Sequence, residues 1–118
     1  MTNSVGELEE ADCVFVIGSN TTEAHPIVAL RIKAAAKRGA TVLVADPRRI
    51  DLVRFAKMHV RQRGGSDVAL INAMLNAIIA EELHDAEFVR ERTEGFEEMK
   101  ACVAECTPEW AEGITGVP

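Results

Sequence analysis

Two continuous apolar runs, "CVFVI" at residues 13–17 and "TVLVA" at residues 41–45, constrain this chain more than any other feature. Neither alternates polar with apolar residues, so each carries the pattern of a parallel strand covered on both faces, and the first is expected to be central in its sheet. Between them lie a Gly18-Ser19-Asn20 turn and a segment, residues 25–38, that reads as a helix. Pro26 suits a first helical turn, where its missing N–H costs nothing, and Gly39 is a natural stop. Residues 13–45 are therefore expected to form a βαβ unit, whose crossover is right-handed almost without exception.

Further along, "MHVRQR" predicts a brief third strand ending in Gly64-Gly65, and Ser66-Asp67 predicts a capped helix over residues 67–82. On that helix Leu70, Met74 and Ile78 stack beside Ile71, Leu75 and Ile79 as a core stripe. Residues 7–11 read as a short helical lead-in, 87–92 and 95–106 as two more helices, and Thr107-Pro108 as the start of another turn. The sequence stops at "ITGVP" where a new element is expected, so the chain reads as one domain, residues 1–118, cut from something longer. The fold class expected is α/β: a Rossmann-like three-layer α/β/α arrangement around a small parallel sheet.

Composition narrows the function. With 118 residues, 47% apolar and 27% charged, the chain can bury an ordinary core without disulfides or metal. No apolar run nears the roughly 20 residues needed to span a bilayer, and "MTNSVGELEE", acidic and without a basic region before an apolar core, does not read as a signal peptide. A cytoplasmic location is expected, with an export signal upstream of the fragment left open. A net charge of −6 argues against a nucleic-acid partner, although the basic clusters Lys37-Arg38, Arg48-Arg49 and Arg61 with Arg63 could still meet a phosphate. The three cysteines, Cys13, Cys102 and Cys106, make neither a disulfide framework nor a CxxC metal motif and are expected to be structural.

Ligands of open parallel sheets bind beyond the carboxyl ends of the strands, and three loops there carry unusual residues. Gly18 allows close backbone approach, Ser19 and Asn20 offer short polar side chains, and the helix that follows points its N–H groups at any anion above. Asp46, straight off the second run, is suited to accept from ribose hydroxyls or from a guanine edge. Pro47 stiffens that turn, and Arg48 stacks on a base or meets phosphate. Beside Gly65, the Ser66-Asp67 pair serves a helix cap, a base edge, or both. GxGxxG and a Walker lysine motif are both absent, which disfavours an ordinary NAD or P-loop site. His25 reads as a capping or pocket-lining group, His59 and His84 as structural.

The segments "GSNTTEAHPIVALRIKAAAKRGATVLVADPRR", "GGSDVALINAMLNAIIAEELHDAEFVRERTEGFEE" and "TPEWAEGITGV" together resemble the molybdopterin oxidoreductases of the dimethyl sulfoxide reductase type, and most of all formate dehydrogenase catalytic subunits. The resemblance covers nearly the whole chain. It implies a Rossmann-like domain holding one of two molybdopterin guanine dinucleotides, which together ligate molybdenum or tungsten. By position, Gly18, Ser19, Asn20 and Glu23 line the pyrophosphate and ribose, Asp46, Pro47 and Arg48 meet the guanosine, and Gly65, Ser66 and Asp67 meet its guanine end. The family's iron–sulfur cysteines, its metal-ligating cysteine or selenocysteine and its substrate residues find no counterpart in these 118 positions, and the three cysteines do not inherit those roles. The expected function is thus half of a cofactor cradle, inactive alone, in a parent that oxidises formate to carbon dioxide with the remaining domains and electron-transfer subunits. The alternative is a stand-alone, non-enzymatic α/β module that binds a guanine nucleotide or a partner subunit.

Overall fold

In the computed structural model, which describes residues 3–118, the chain divides into two compact units, Met1–Arg61 and Gln62–Pro118. The first is α/β and Rossmann-like. A 3₁₀ turn at Val5–Glu9 leads into strand β1 (Cys13–Ile17), helices α1 (Thr21–Ala24) and α2 (Pro26–Arg38), strand β2 (Thr41–Ala45), a second 3₁₀ turn at Asp51–Phe55 and strand β3 (Met58–Val60). The three strands form one parallel sheet in the order β1-β2-β3, with Val14 opposite Val42, Val16 opposite Val44, and Val44 opposite His59.

The βαβ unit stands as the sequence predicts, with two differences. Strand β2 is central and β1 is at the edge of the described sheet, so Val14 and Val16 are buried whereas Cys13 and Phe15 are exposed. Pairing order decides that, and an apolar run does not encode it. The crossover is also broken: His25 has φ −141° and ψ 66° and separates the single turn α1 from α2. The residue before a proline is driven out of the α region by the proline ring, which accounts for the break. Gly39 closes α2 at φ 110°, its N–H returning to the carbonyls of the last turn.

Val14, Val16, Ile32, Val42, Val44, Ile50 and Leu52 make the core of this unit. Leu52, carried by the second 3₁₀ turn, has no exposed surface. That turn therefore caps the core beside the end of β2 and fixes where the chain goes after Asp46. Arg38 secures the other end, reaching back from α2 to the carbonyls of Glu9 at 2.9 Å and Ala11 at 3.0 Å.

The second unit is helical: α3 (Asp67–Ala80), α4 (Ala86–Arg92), α5 (Phe96–Val103) and α6 (Pro108–Thr115). On α3 the buried residues are Ala69, Leu70, Ala73 and Ile79, while Ile71 is exposed and Met74, Leu75 and Ile78 are half-buried. The expected stripe is thus kept in Leu70 and Ile79, loses Ile71 to the surface, and is joined by Ala69 and Ala73. Asp85 and Thr107 cap α4 and α6, accepting from the N–H groups of Phe88 and Trp110. Among the described residues no helix is long and apolar enough to cross a membrane.

Replacing Leu52 by Ala should destabilise the chain by about 3 kcal/mol, the usual cost of an unfilled buried leucine site. Urea unfolding of the two proteins measures it. A loss below about 1 kcal/mol would show that the turn does not seal this core.

Candidate cofactor-binding loops

The loop after β1 begins at Gly18, whose φ of +60° suits glycine and whose N–H donates to the Ala45 carbonyl at 2.9 Å, tying the ends of β1 and β2 together. No atom lies within 4 Å of the place a Cβ would take, so the backbone there is open to close approach. Ser19 and Asn20 are half-buried and Glu23 is exposed. The Asn20 carbonyl accepts the N–H groups of Glu23 and Ala24 and starts α1, but its side chain makes no cap bond. The four-residue α1 is too short to present the dipole of a full helix, so the expected helix-dipole contribution at this loop is not met.

What the loop offers instead is a set of orphaned polar atoms. Asn20 Oδ1, Thr21 Oγ1 and Thr22 Oγ1 are all buried without a hydrogen-bond partner. Each such atom costs about 1–3 kcal/mol if nothing satisfies it, and only a few occur per hundred residues. Three in succession, beside an open glycine at the carboxyl end of a parallel strand, fit a polar ligand with several donors and acceptors. Thr21 and Thr22 are not singled out by their residue types, since a threonine pair at a helix start is ordinary capping material.

The second loop is organised by Asp46. Its carboxylate is almost fully buried, with 3% of the side chain exposed. Oδ1 accepts the Arg48 backbone N–H at 2.8 Å and lies 3.3 Å from the Arg48 guanidinium Nε, closing an Asx turn around Pro47. The backbone is held as well. The Asp46 N–H donates to the Val60 carbonyl at 3.0 Å, Arg61 Nε donates to the Pro47 carbonyl at 3.1 Å, and His59 Nε2 lies 2.9 Å from the Asp46 carbonyl oxygen. Burial works against ionisation of Asp46, but the hydrogen bonds from the Arg48 N–H and side chain and the charges of Arg48 and His59 outweigh it, leaving its pKa lowered. The free acceptor is Oδ2, and Arg48 is exposed enough to swing toward a ligand.

In the second unit, Gly65 has φ +82° and Ser66 occupies the cap position of α3 without capping it. The Ser66 hydroxyl instead donates to the Arg63 carbonyl at 2.7 Å. The Asp67 carboxylate accepts from the amide of the buried Gln62 at 2.8 Å, through Oδ1, and the other Gln62 amide atom, Oε1, has no partner. Arg63 anchors this loop to the end of α6, donating to the carbonyls of Gly113 at 3.0 Å and Ile114 at 3.3 Å. Gln62 is a contributor that sequence reasoning missed, because only the fold reveals that it is buried.

One other feature is a poorer candidate. A depression of about 510 Å³ in the second unit, lined by His84, Arg90, Phe96, Glu97 and Glu98, carries two carboxylates that would repel a phosphate. Among the described residues no group of three or more His, Cys, Asp or Glu side chains is placed to hold a metal ion.

The lowered pKa of Asp46 has a sign that can be checked. Its carboxylate contributes stability that is complete above the unfolded value of about 3.9 and is lost as pH falls through the lower folded value. Asp46→Asn should therefore be less stable than the parent by a constant margin above about pH 5, and the margin should shrink below about pH 4. Urea midpoints between pH 7 and pH 3 test it, and a margin unchanged across that range would contradict it.

Comparison with known proteins gives the family. The profile of the family "Molybdopterin oxidoreductase" matches residues 1–107. The chain is 49% identical over 117 residues to the alpha subunit of a formate dehydrogenase from Methanocaldococcus jannaschii, covering 99% of this chain and 17% of that protein. It is 48% identical over 117 residues to formate dehydrogenase H of Escherichia coli, again covering 99% of this chain and 16% of the relative. The acetylene hydratase of Pelobacter acetylenicus superposes with a TM-score of 0.83 at 32% identity, over 97% of this chain and 18% of that one. The chain thus spans about a sixth of the length of these relatives and belongs to the molybdopterin oxidoreductase family.

Proposed function

We propose that this chain is the part of a formate dehydrogenase-like catalytic subunit that holds the guanosine end of a molybdopterin guanine dinucleotide. The observation that carries this is the row of unpartnered buried polar atoms on Asn20, Thr21 and Thr22, next to the open Gly18 turn. In the first unit, Gly18, Ser19, Asn20 and Glu23 receive the pyrophosphate and ribose and Asp46, Pro47 and Arg48 the guanosine; for Gly65, Ser66 and Asp67 of the second unit, a role at the guanine end rests on the sequence resemblance. Asp46 acts through Oδ2, since its other oxygen closes the turn, and Arg48 supplies positive charge near the phosphates. Asp67 likewise keeps one oxygen free. An acceptor-only carboxylate suits the N1–H and exocyclic amine of guanine and mismatches the N1 of adenine.

When bound, the cofactor supplies the pterin ligand to molybdenum or tungsten and with it the two-electron chemistry. This chain's residues bind and orient it, and substrate selection is left to the rest of the subunit. That division is supported by relatives of this one stretch being named both for formate dehydrogenation and for acetylene hydration. In a formate-oxidising parent, other domains supply the metal ligand and an iron–sulfur cluster, and partner subunits in the cytoplasm carry the electrons away. The chain alone is inactive on formate.

Titration of GDP and of ADP into isotopically labelled protein tests the reading. One wall of a cradle should bind GDP at roughly millimolar strength, about −4 kcal/mol, with ADP weaker. Asp46→Asn, which keeps the shape but loses the charge, should weaken GDP by about tenfold, consistent with a charge-assisted hydrogen bond. Amide shifts at Gly18, Asp46 and Ser66 that stay still at saturating GDP, or move equally with ADP, would overturn it.

A further inference from the structure

The turn proposed to meet the guanosine is held by three consecutive residues of one short segment. His59, Val60 and Arg61, at the end of β3, contact the Asp46 carbonyl, the Asp46 N–H and the Pro47 carbonyl, at 2.9, 3.0 and 3.1 Å. The Val60 contact continues the sheet ladder and any residue would make it. The Arg61 contact comes from an exposed side chain in competition with water. The His59 contact is different: the ring is half-buried, and its partner is a carbonyl oxygen, which can only accept.

We propose that His59 is a positioning residue. By donating from Nε2 to the Asp46 carbonyl it fixes the direction of the Asp46-Pro47-Arg48 turn, so that Asp46 Oδ2 and the Arg48 guanidinium are presented to a guanine nucleotide in a preset arrangement. The bond crosses a register pair, His59 lying opposite Val44, two residues before Asp46 on the neighbouring strand. It also requires one form of the ring. A neutral His59 carries its proton on Nε2, and a doubly protonated ring still donates there, so the clamp survives in both states. Without it, the Asp46 carbonyl would lose a partner at the point where β2 ends, and the Asx turn would open more often and lose its aim. The ligand part of this proposal rests on the function proposed above. The clamp itself does not.

Two substitutions separate donor from shape: His59→Gln keeps an amide N–H near the position of Nε2, and His59→Phe keeps the ring without a donor. In the ligand-free protein, hydrogen exchange at the Arg48 amide, which donates to Asp46 Oδ1, should accelerate roughly tenfold in His59→Phe and stay within about threefold in His59→Gln. The Kd for GDP should follow the same order, roughly tenfold weaker for Phe and nearly unchanged for Gln. Nitrogen-15 spectra of the unsubstituted protein at roughly pH 9, where imidazoles are neutral, should show the proton on Nε2. An Nδ1–H tautomer, or Arg48 exchange and GDP affinity in His59→Phe equal to the parent, would overturn the clamp, and the tautomer decides even if the Phe protein fails to fold. Acceleration in His59→Gln as large as in His59→Phe would also overturn it, since the retained amide donor would then fail to hold the turn. If the parent shows no GDP binding while exchange and tautomer behave as expected, the clamp stands and the guanosine assignment falls.

Discussion

A carboxylate buried at the end of the central strand governs how the first unit is put together. Asp46 cannot stay ionised there without donors, and the turn ahead supplies them in the Arg48 N–H and guanidinium, while His59 and Val60 of β3 hold its backbone carbonyl and N–H. Meeting those demands fixes the Asp46-Pro47-Arg48 turn and ties it to β3. It also sends the chain into the 3₁₀ turn whose Leu52 seals the core.

The loop after β1 is arranged in the opposite way. Gly18 ties it to the end of β2 with one backbone bond, and Asn20, Thr21 and Thr22 then leave polar atoms unpaired. In the function proposed above, a rigid turn beside an unsatisfied one divides the work: the first sets the position of a base and ribose, and in the second the Thr21 and Thr22 hydroxyls can donate to a pyrophosphate while Asn20 Oδ1 accepts from a ribose hydroxyl. Binding there recovers a desolvation cost already present in the free protein, which is how preorganised sites raise affinity.

Much of this was legible in the sequence. Both strands lie where the apolar runs are, Pro26 and Gly39 bound the long helix, and the Asp-Pro-Arg turn stands at the strand end. The break at His25 was legible too, since a residue before proline resists the α region, but the helical pattern of residues 25–38 masks it. The edge position of β1 was not, because Phe15 and Val16 are equally apolar and only the pairing order exposes one and buries the other. Nor were the contacts of His59 and Gln62. His59 is 13 residues from Asp46, and Gln62 looks like a surface residue among arginines. On α3 the bulky residues mark the helix, but its packed face also takes in Ala69 and Ala73 and leaves Ile71 exposed. Ser66 shows the same lesson at the site: a serine before a helix predicts a cap, yet its hydroxyl turns back to Arg63.

The central claim is that the ends of β1 and β2 hold the guanosine diphosphate portion of the cofactor. Intermolecular nuclear Overhauser effects between GDP and the labelled chain address it most directly, because they report which protons touch. The account predicts contacts from the ribose and guanine protons to Pro47, Arg48 and the Gly18–Asn20 loop. Contacts confined to the His84–Phe96 depression, or spread over the surface without preference for those turns, would contradict it.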